Sequence, residues 1–138
     1  MVMSSVCDPK TFEILTLVRQ AAANSQFLLL KTELSKKTFY SRMAKLLKAG
    51  IISRKSGKYL LSSFGEVVYC CVDLIVTALK SYWRLNALDS LSILPKSEYI
   101  KTTKILLGNQ RIRTILTQGL DQSQTDHFAI LDAAPPRS

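Results

Sequence analysis

The sequence predicts a mainly helical protein carrying one small β-hairpin, and three observations carry that expectation. Residues 35–49 place apolar side chains at helical spacing between a serine and a glycine. Residues 51–61 read as two short strands around Ser56-Gly57, and residues 62–88 are apolar over most of a helical circumference.

Each element follows from local chemistry. Asp8 followed by Pro9 opens a first helix, because aspartate caps free amides and proline fits the first helical position at no hydrogen-bond cost. Phe12, Leu15, Val18 or Arg19, and Ala22 supply an apolar stripe, and Asn24-Ser25 ends it. A short apolar turn of helix, Gln26 to Leu30, leads into the tight connection Lys31-Thr32-Glu33-Leu34. Ser35 then caps a helix running to Ala49, with Gly50 as its left-handed stop. On a helical wheel Phe39, Met43, Leu46 and Leu47 share one side, whereas Lys37, Ser41, Lys45 and Lys48 share the other. One face packs and the other is basic.

In the hairpin, Ser56-Gly57 at the tip pairs Lys55 with Lys58 and sets Ile52 across from Leu61, on the face that also carries Tyr59. Like charges facing each other at a tip are unfavourable alone, and an approaching phosphate backbone would relieve them. A long helix is expected from Ser62-Ser63 to about Leu88, with Gly65 in its first turn and Glu66, Tyr69, Asp73, Thr77, Lys80 and Arg84 as a narrow polar stripe. Val68, Cys71, Ile75, Ala78, Tyr82 and Leu85 follow a near-heptad spacing, which fits either a homodimer seam or packing within one subunit. Asp89 to Leu94 with Pro95 reads as a linker, followed by a helix near Ser97 to Leu107. Another, opened by Asn109, runs over Gln110–Gln118 with Ile112, Ile115 and Leu116 as its apolar side and Gly119 as its stop. Residues 119–138, with few apolar anchors and Pro135-Pro136, are expected as a mobile tail.

Composition bounds the function. Of 138 residues, 47% are hydrophobic and 21% charged, enough apolar content for a packed core. The start lacks the pattern of a signal peptide, and the longest apolar stretch, Val67 to Leu79, is interrupted by Asp73 and falls short of a bilayer span, so a cytoplasmic, nucleoid-associated protein is expected. Cys7, Cys70 and Cys71 form neither a disulfide framework nor a zinc-ligand pair, and the lone His127 has no partner ligand nearby. No metal or cofactor is expected. With no glycine-rich phosphate loop, nucleophile motif or paired carboxylates in an identifiable pocket, an enzyme is not expected either.

The net charge of +9 is concentrated. Residues 31–58 hold Lys31, Lys36, Lys37, Arg42, Lys45, Lys48, Arg54, Lys55 and Lys58 against Glu33 alone, so +8 of that charge sits in a fifth of the chain. Such clustering points to a polyanion.

The order helix, short helix, turn, basic helix, hairpin, helix, together with Ser35-Lys36-Lys37-Thr38-Phe39-Tyr40-Ser41-Arg42-Met43, Leu47-Lys48-Ala49-Gly50-Ile51-Ile52, Gly57-Lys58-Tyr59-Leu60-Leu61 and Phe64-Gly65, resembles the archaeal winged helix-turn-helix transcriptional regulators. The resemblance covers roughly residues 8–90, is most specific over Lys48–Gly65, and is weak beyond residue 95. It implies a winged helix-turn-helix DNA-binding domain over 8–65 that often acts as a dimer, while the long helix over 66–90, a candidate dimer interface, and the two short helices over 95–118 are read from the residues alone. It also implies that residues 35–49 form the recognition helix and residues 53–59 the wing.

The residues themselves support a matching mechanism. A helix fits the major groove, and its exposed N-terminal half reaches base edges, which makes Lys36, Lys37, Thr38, Ser41 and Lys45 the base-contacting candidates. Tyr40 lies at the flank, where its hydroxyl reaches a phosphate or finishes the core. Arg42, Lys48, Arg54, Lys55 and Lys58 are candidates for the backbone or minor groove. The expected function is that of a sequence-specific regulator of double-stranded DNA. A chromatin-type or RNA-binding protein with no sequence preference, and a winged helix used for protein interaction, remain open alternatives.

Overall fold

A computed structural model describes residues 4, 6–91 and 93–118. The expected tail, with His127 and Gly119, lies outside the described residues. The architecture is mainly helical with one two-stranded antiparallel hairpin. Its elements are α1 (Pro9–Gln20), α2 (Ser25–Thr32), α3 (Lys36–Lys48), β1 (Ile52–Lys55), β2 (Lys58–Leu61), α4 (Ser63–Lys80), α5 (Tyr82–Asp89), α6 (Lys96–Leu106) and a helix over residues 110–118. The chain divides into two compact units, Met1–Ile75 and Val76–Ser138, with the division inside α4.

In the first unit the helix starts are set by capping side chains. Asp8 accepts from Thr11 N–H at 3.0 Å with Pro9 at the first helical position, Asn24 from Phe27 N–H at 2.8 Å, and Ser35 from Thr38 N–H at 3.3 Å. Asn24, read from sequence as the end of α1, instead caps a complete two-turn α2 that extends through Thr32. Glu33, in the left-handed region at φ 54°, makes the turn that follows. The buried stripe of α1 is Thr11, Ile14, Leu15 and Val18. It is rotated from the expected one: Ala22 is exposed and Phe12 half-buried.

Helix α3 buries Phe39, Met43 and Leu46, and Gly50 at φ 71° ends it. Leu47, expected inside, is 38% exposed because it sits at the edge of that apolar arc. The hairpin keeps the predicted register, Ile52 opposite Leu61 and Lys55 opposite Lys58. Ser56 at φ 49° and Gly57 at φ 74° give the doubly left-handed turn that matches strand twist. A pairing that no periodicity announced widens this sheet: Ala23 and Tyr59 exchange both backbone hydrogen bonds, at 2.8 and 3.3 Å.

Helix α4 sits at the base of the hairpin through Ser62 and Gly65. Ser62 Oγ donates to the Gly50 carbonyl and accepts from Gly65 N–H at 2.9 Å. A Cβ at Gly65 would stand 1.9 Å from the Ile51 carbonyl oxygen, so only glycine allows this approach. Two expectations about this region change. The single helix to Leu88 is broken at Ser81, whose N–H is shared between the carbonyls of Thr77 and Ala78, both at 3.1 Å, so the winding tightens and α5 starts afresh. The stripe read as polar is also the one that packs. Tyr69 stacks on Phe12 with centroids 5.1 Å apart, and Arg19 Nε donates to Glu66 at 2.9 Å.

In the second unit α5 packs with α6. Asn109 Oδ1 accepts from Arg111 and Ile112 N–H at 3.0 and 3.2 Å, capping the helix over 110–118 as predicted. Leu88, Thr103, Leu107 and Ile112 are buried, whereas Ile115, expected on the packed side, is exposed.

Candidate nucleic-acid interface

The strongest concentration of exposed positive charge among the described residues lies on α3 and the hairpin. Lys36, Lys37, Thr38, Ser41, Lys45 and Lys48 are all exposed on α3, as are Arg54, Lys55 and Lys58 on the hairpin. The reason is local: Phe39, Met43 and Leu46 anchor α3 from one side and so turn its basic side outward. Tyr40 is exposed too, in edge-on contact with Phe39 at 5.3 Å, which leaves its hydroxyl outside the core.

The structure brings four of the five base-contacting candidates together. Lys37, Thr38, Ser41 and Lys45 line an open groove of about 570 Å³, which Asp8, the cap of α1, and Thr11 in its first turn also line. Lys36 is not among the groove-lining residues and belongs to the flank that carries Tyr40. At the helix start, Ser35 Oγ donates to Thr38 Oγ1 at 2.8 Å, which fixes the Thr38 side chain while leaving its own hydroxyl hydrogen and methyl group available.

Arg42 is placed differently from the expected phosphate contact. Its guanidinium is ion-paired with Asp8, and Nη1 also donates to Thr11 Oγ1 at 2.7 Å. Its Nε is buried and meets no acceptor. The residue therefore spends its charge tying α3 to the start of α1. Partial burial works against the Asp8 carboxylate, yet the Thr11 N–H and the Arg42 guanidinium outweigh it and hold Asp8 below the usual carboxylate range. The groove's free cations are thus Lys37 and Lys45. Sequence reasoning assigned Asp8 only its capping role; its partner lies 34 residues away, beyond any local spacing rule.

On the hairpin, Arg54 lies over the buried ring of Tyr59, its Cζ 5.5 Å from the centroid, so its stem is steadied while the residue stays exposed. Lys55 and Lys58 stand opposite each other at the tip with no acidic side chain in the tip itself. Tyr59, the only aromatic residue on either strand, is 3% exposed and offers no platform for a base.

Comparison with protein-family models, with curated proteins and with solved structures returned no match. Among the described residues no helix is long and apolar enough to cross a membrane.

Proposed function

We propose that the first unit is a winged helix-turn-helix and that the protein is a sequence-specific double-stranded DNA-binding regulator, in the manner of the archaeal regulators its sequence resembles. The observation that carries this reading is α3: a helix with a capped, exposed N-terminal half whose Lys37, Thr38, Ser41 and Lys45 line one groove, joined through a single glycine turn to a hairpin with a basic tip. An α-helix fills the major groove. Lysines donate there to guanine O6 and N7, and the threonine methyl meets thymine.

Arg54, Lys55 and Lys58 follow α3 directly and would hold the backbone or minor groove without reading sequence. The bridge between Ala23 and Tyr59 supports the same reading, because it ties the hairpin to the segment between α1 and α2 and gives the wing a fixed root. Burial of Tyr59 speaks against an RNA-binding sheet, which needs exposed aromatic residues for stacking. Binding, rather than catalysis, is the activity assigned.

The test is selection of bound duplexes from a random DNA pool, followed by titration of the enriched sequence against a scrambled one. A preference of about a thousandfold or more supports sequence-specific regulation. Tight, salt-sensitive binding without preference would replace it with a chromatin-type role, and absence of binding would leave a protein-interaction module.

A further inference from the structure

We propose that the second unit carries a phosphate-binding surface of its own, a cleft between α6 and the helix over residues 110–118 that takes the backbone of double-stranded DNA. Residues 96–118 hold Lys96, Lys101, Lys104, Arg111 and Arg113 against Glu98 alone, a balance of +4 outside the basic segment 31–58. Only residues 107–109 separate the two helices, and Thr103, Leu107 and Ile112 are buried between their exposed positions. The cleft is lined by Thr103 and Lys104 from α6 and by Gln110, Arg113, Thr114 and Thr117, which share one face of the next helix. Thr103 Oγ1 donates to the Tyr99 carbonyl at 2.8 Å, Thr114 Oγ1 to the Gln110 carbonyl at 2.9 Å and Thr117 Oγ1 to the Arg113 carbonyl at 3.0 Å. Each hydroxyl hydrogen is thus used within its own helix, and the donors left to the cleft are the Lys104 ammonium, the Arg113 guanidinium and the Gln110 amide. Lys101 is exposed one turn before Lys104. Among the described residues no carboxylate is ion-paired with Lys101, Lys104 or Arg113.

Three features make a DNA backbone the ligand. Two cations and an amide on one cleft suit an anion, and the guanidinium fork matches phosphate oxygens. The cleft is open and holds about 240 Å³, less than the roughly 300 to 1,000 Å³ of sites that enclose a small molecule, so it fits one group of a larger anion. No aromatic side chain lines it, so it has no platform on which an unpaired base would stack, and the double strand is favoured over the single. Contacts of this kind add affinity without reading bases. The inference rests on the DNA-binding reading for the identity of the polyanion and shares none of its residues.

The test is titration of the full chain with a duplex of scrambled sequence, followed by fluorescence anisotropy over a range of salt concentrations. Lys104→Ala with Arg113→Ala should lower the slope of log affinity against log salt by about 0.9 for each phosphate no longer neutralised, whereas Lys104→Arg with Arg113→Lys should keep it. Lys101→Ala with Lys104→Ala, both at exposed positions, repeats the measurement without touching the half-buried Arg113. In a chain carrying Lys37→Ala, Lys45→Ala, Arg54→Ala and Lys58→Ala, binding at low salt should persist, and adding the Lys104 and Arg113 substitutions should abolish it. A slope unchanged by both alanine pairs would overturn the proposal. So would an equal loss in the charge-conserving pair, which would give these residues a packing role. If only the cleft substitutions weaken binding, the assignment of α3 and the hairpin falls and the cleft stands; if only the four first-unit substitutions do, the cleft alone falls. A wild-type chain that binds no duplex would remove both.

Discussion

Asp8 is the residue on which two elements depend, since it caps α1 and receives Arg42 from α3. Its folded pKa lies below the ordinary carboxylate value, so its contribution is present above about pH 4 and is lost as the pH falls through the lowered folded value. Asp8→Asn keeps a capping oxygen and removes the charge. Thermal melts should show a loss of about 1 kcal/mol at neutral pH, small because the pair is partly exposed to solvent, with the difference vanishing in acid. Gly65 is the other decisive single residue. Gly65→Ala puts a methyl group into the Ile51 carbonyl, and urea unfolding should report about 2 kcal/mol or more of destabilisation, where an ordinary helical site would gain from alanine.

The hairpin and α3 show how far an element obeys its own sequence. Ser56 holds a left-handed conformation that asparagine adopts at lower cost, so Ser56→Asn should raise stability by about 0.5 kcal/mol in the same melts while leaving the register intact. A shifted amide pattern around Lys55 and Lys58 in NMR would contradict the turn assignment. For α3 the outcome turns on which cations are free. Lys37→Ala with Lys45→Ala should weaken binding to the selected duplex and relax its base preference, whereas Arg54→Ala with Lys58→Ala should flatten the salt dependence, by about 0.9 in log-log slope for each phosphate no longer neutralised. Arg42→Met should lower stability and leave that slope unchanged, because its charge is already committed to Asp8. A slope reduced by Arg42→Met would return Arg42 to the phosphate-contacting set.

At the scale of the whole molecule, charge and apolar surface are segregated within the first unit. The basic side chains gather on α3 and the hairpin, whereas α4 exposes an uncharged apolar row. Two copies joined along that row would present two basic helices to one duplex, and half-site spacing would follow from the dimer geometry. With the homodimer seam that the near-heptad spacing leads one to expect, the selected DNA should be a palindrome, and Ile75→Glu should reduce affinity for it far more than affinity for a single half-site, measured by fluorescence anisotropy. Equal loss on both would mean that the α4 row acts on the fold of each copy and not on their pairing.

Whatever can be decided within a short stretch of chain was legible in the residues alone. The caps at Asp8 and Ser35, the stop at Gly50, the Ser56-Gly57 turn with its register, and the two-sided character of α3 all depend on near neighbours in the chain. Asn24 shows the limit even there, since the residue that ends one helix pattern also begins the next. Packing decided the rest. A helix apolar nearly all round has no inward side of its own, and the stacking of Tyr69 on Phe12 chose one, carrying the apparent polar stripe inward with it. The break at Ser81 has no proline or glycine to announce it, and the Arg42 to Asp8 pair, the Ala23 to Tyr59 bridge and the seat of Gly65 on Ile51 each join residues far apart in the chain. Such approaches are set by how the elements meet in three dimensions, to which a local spacing pattern is blind.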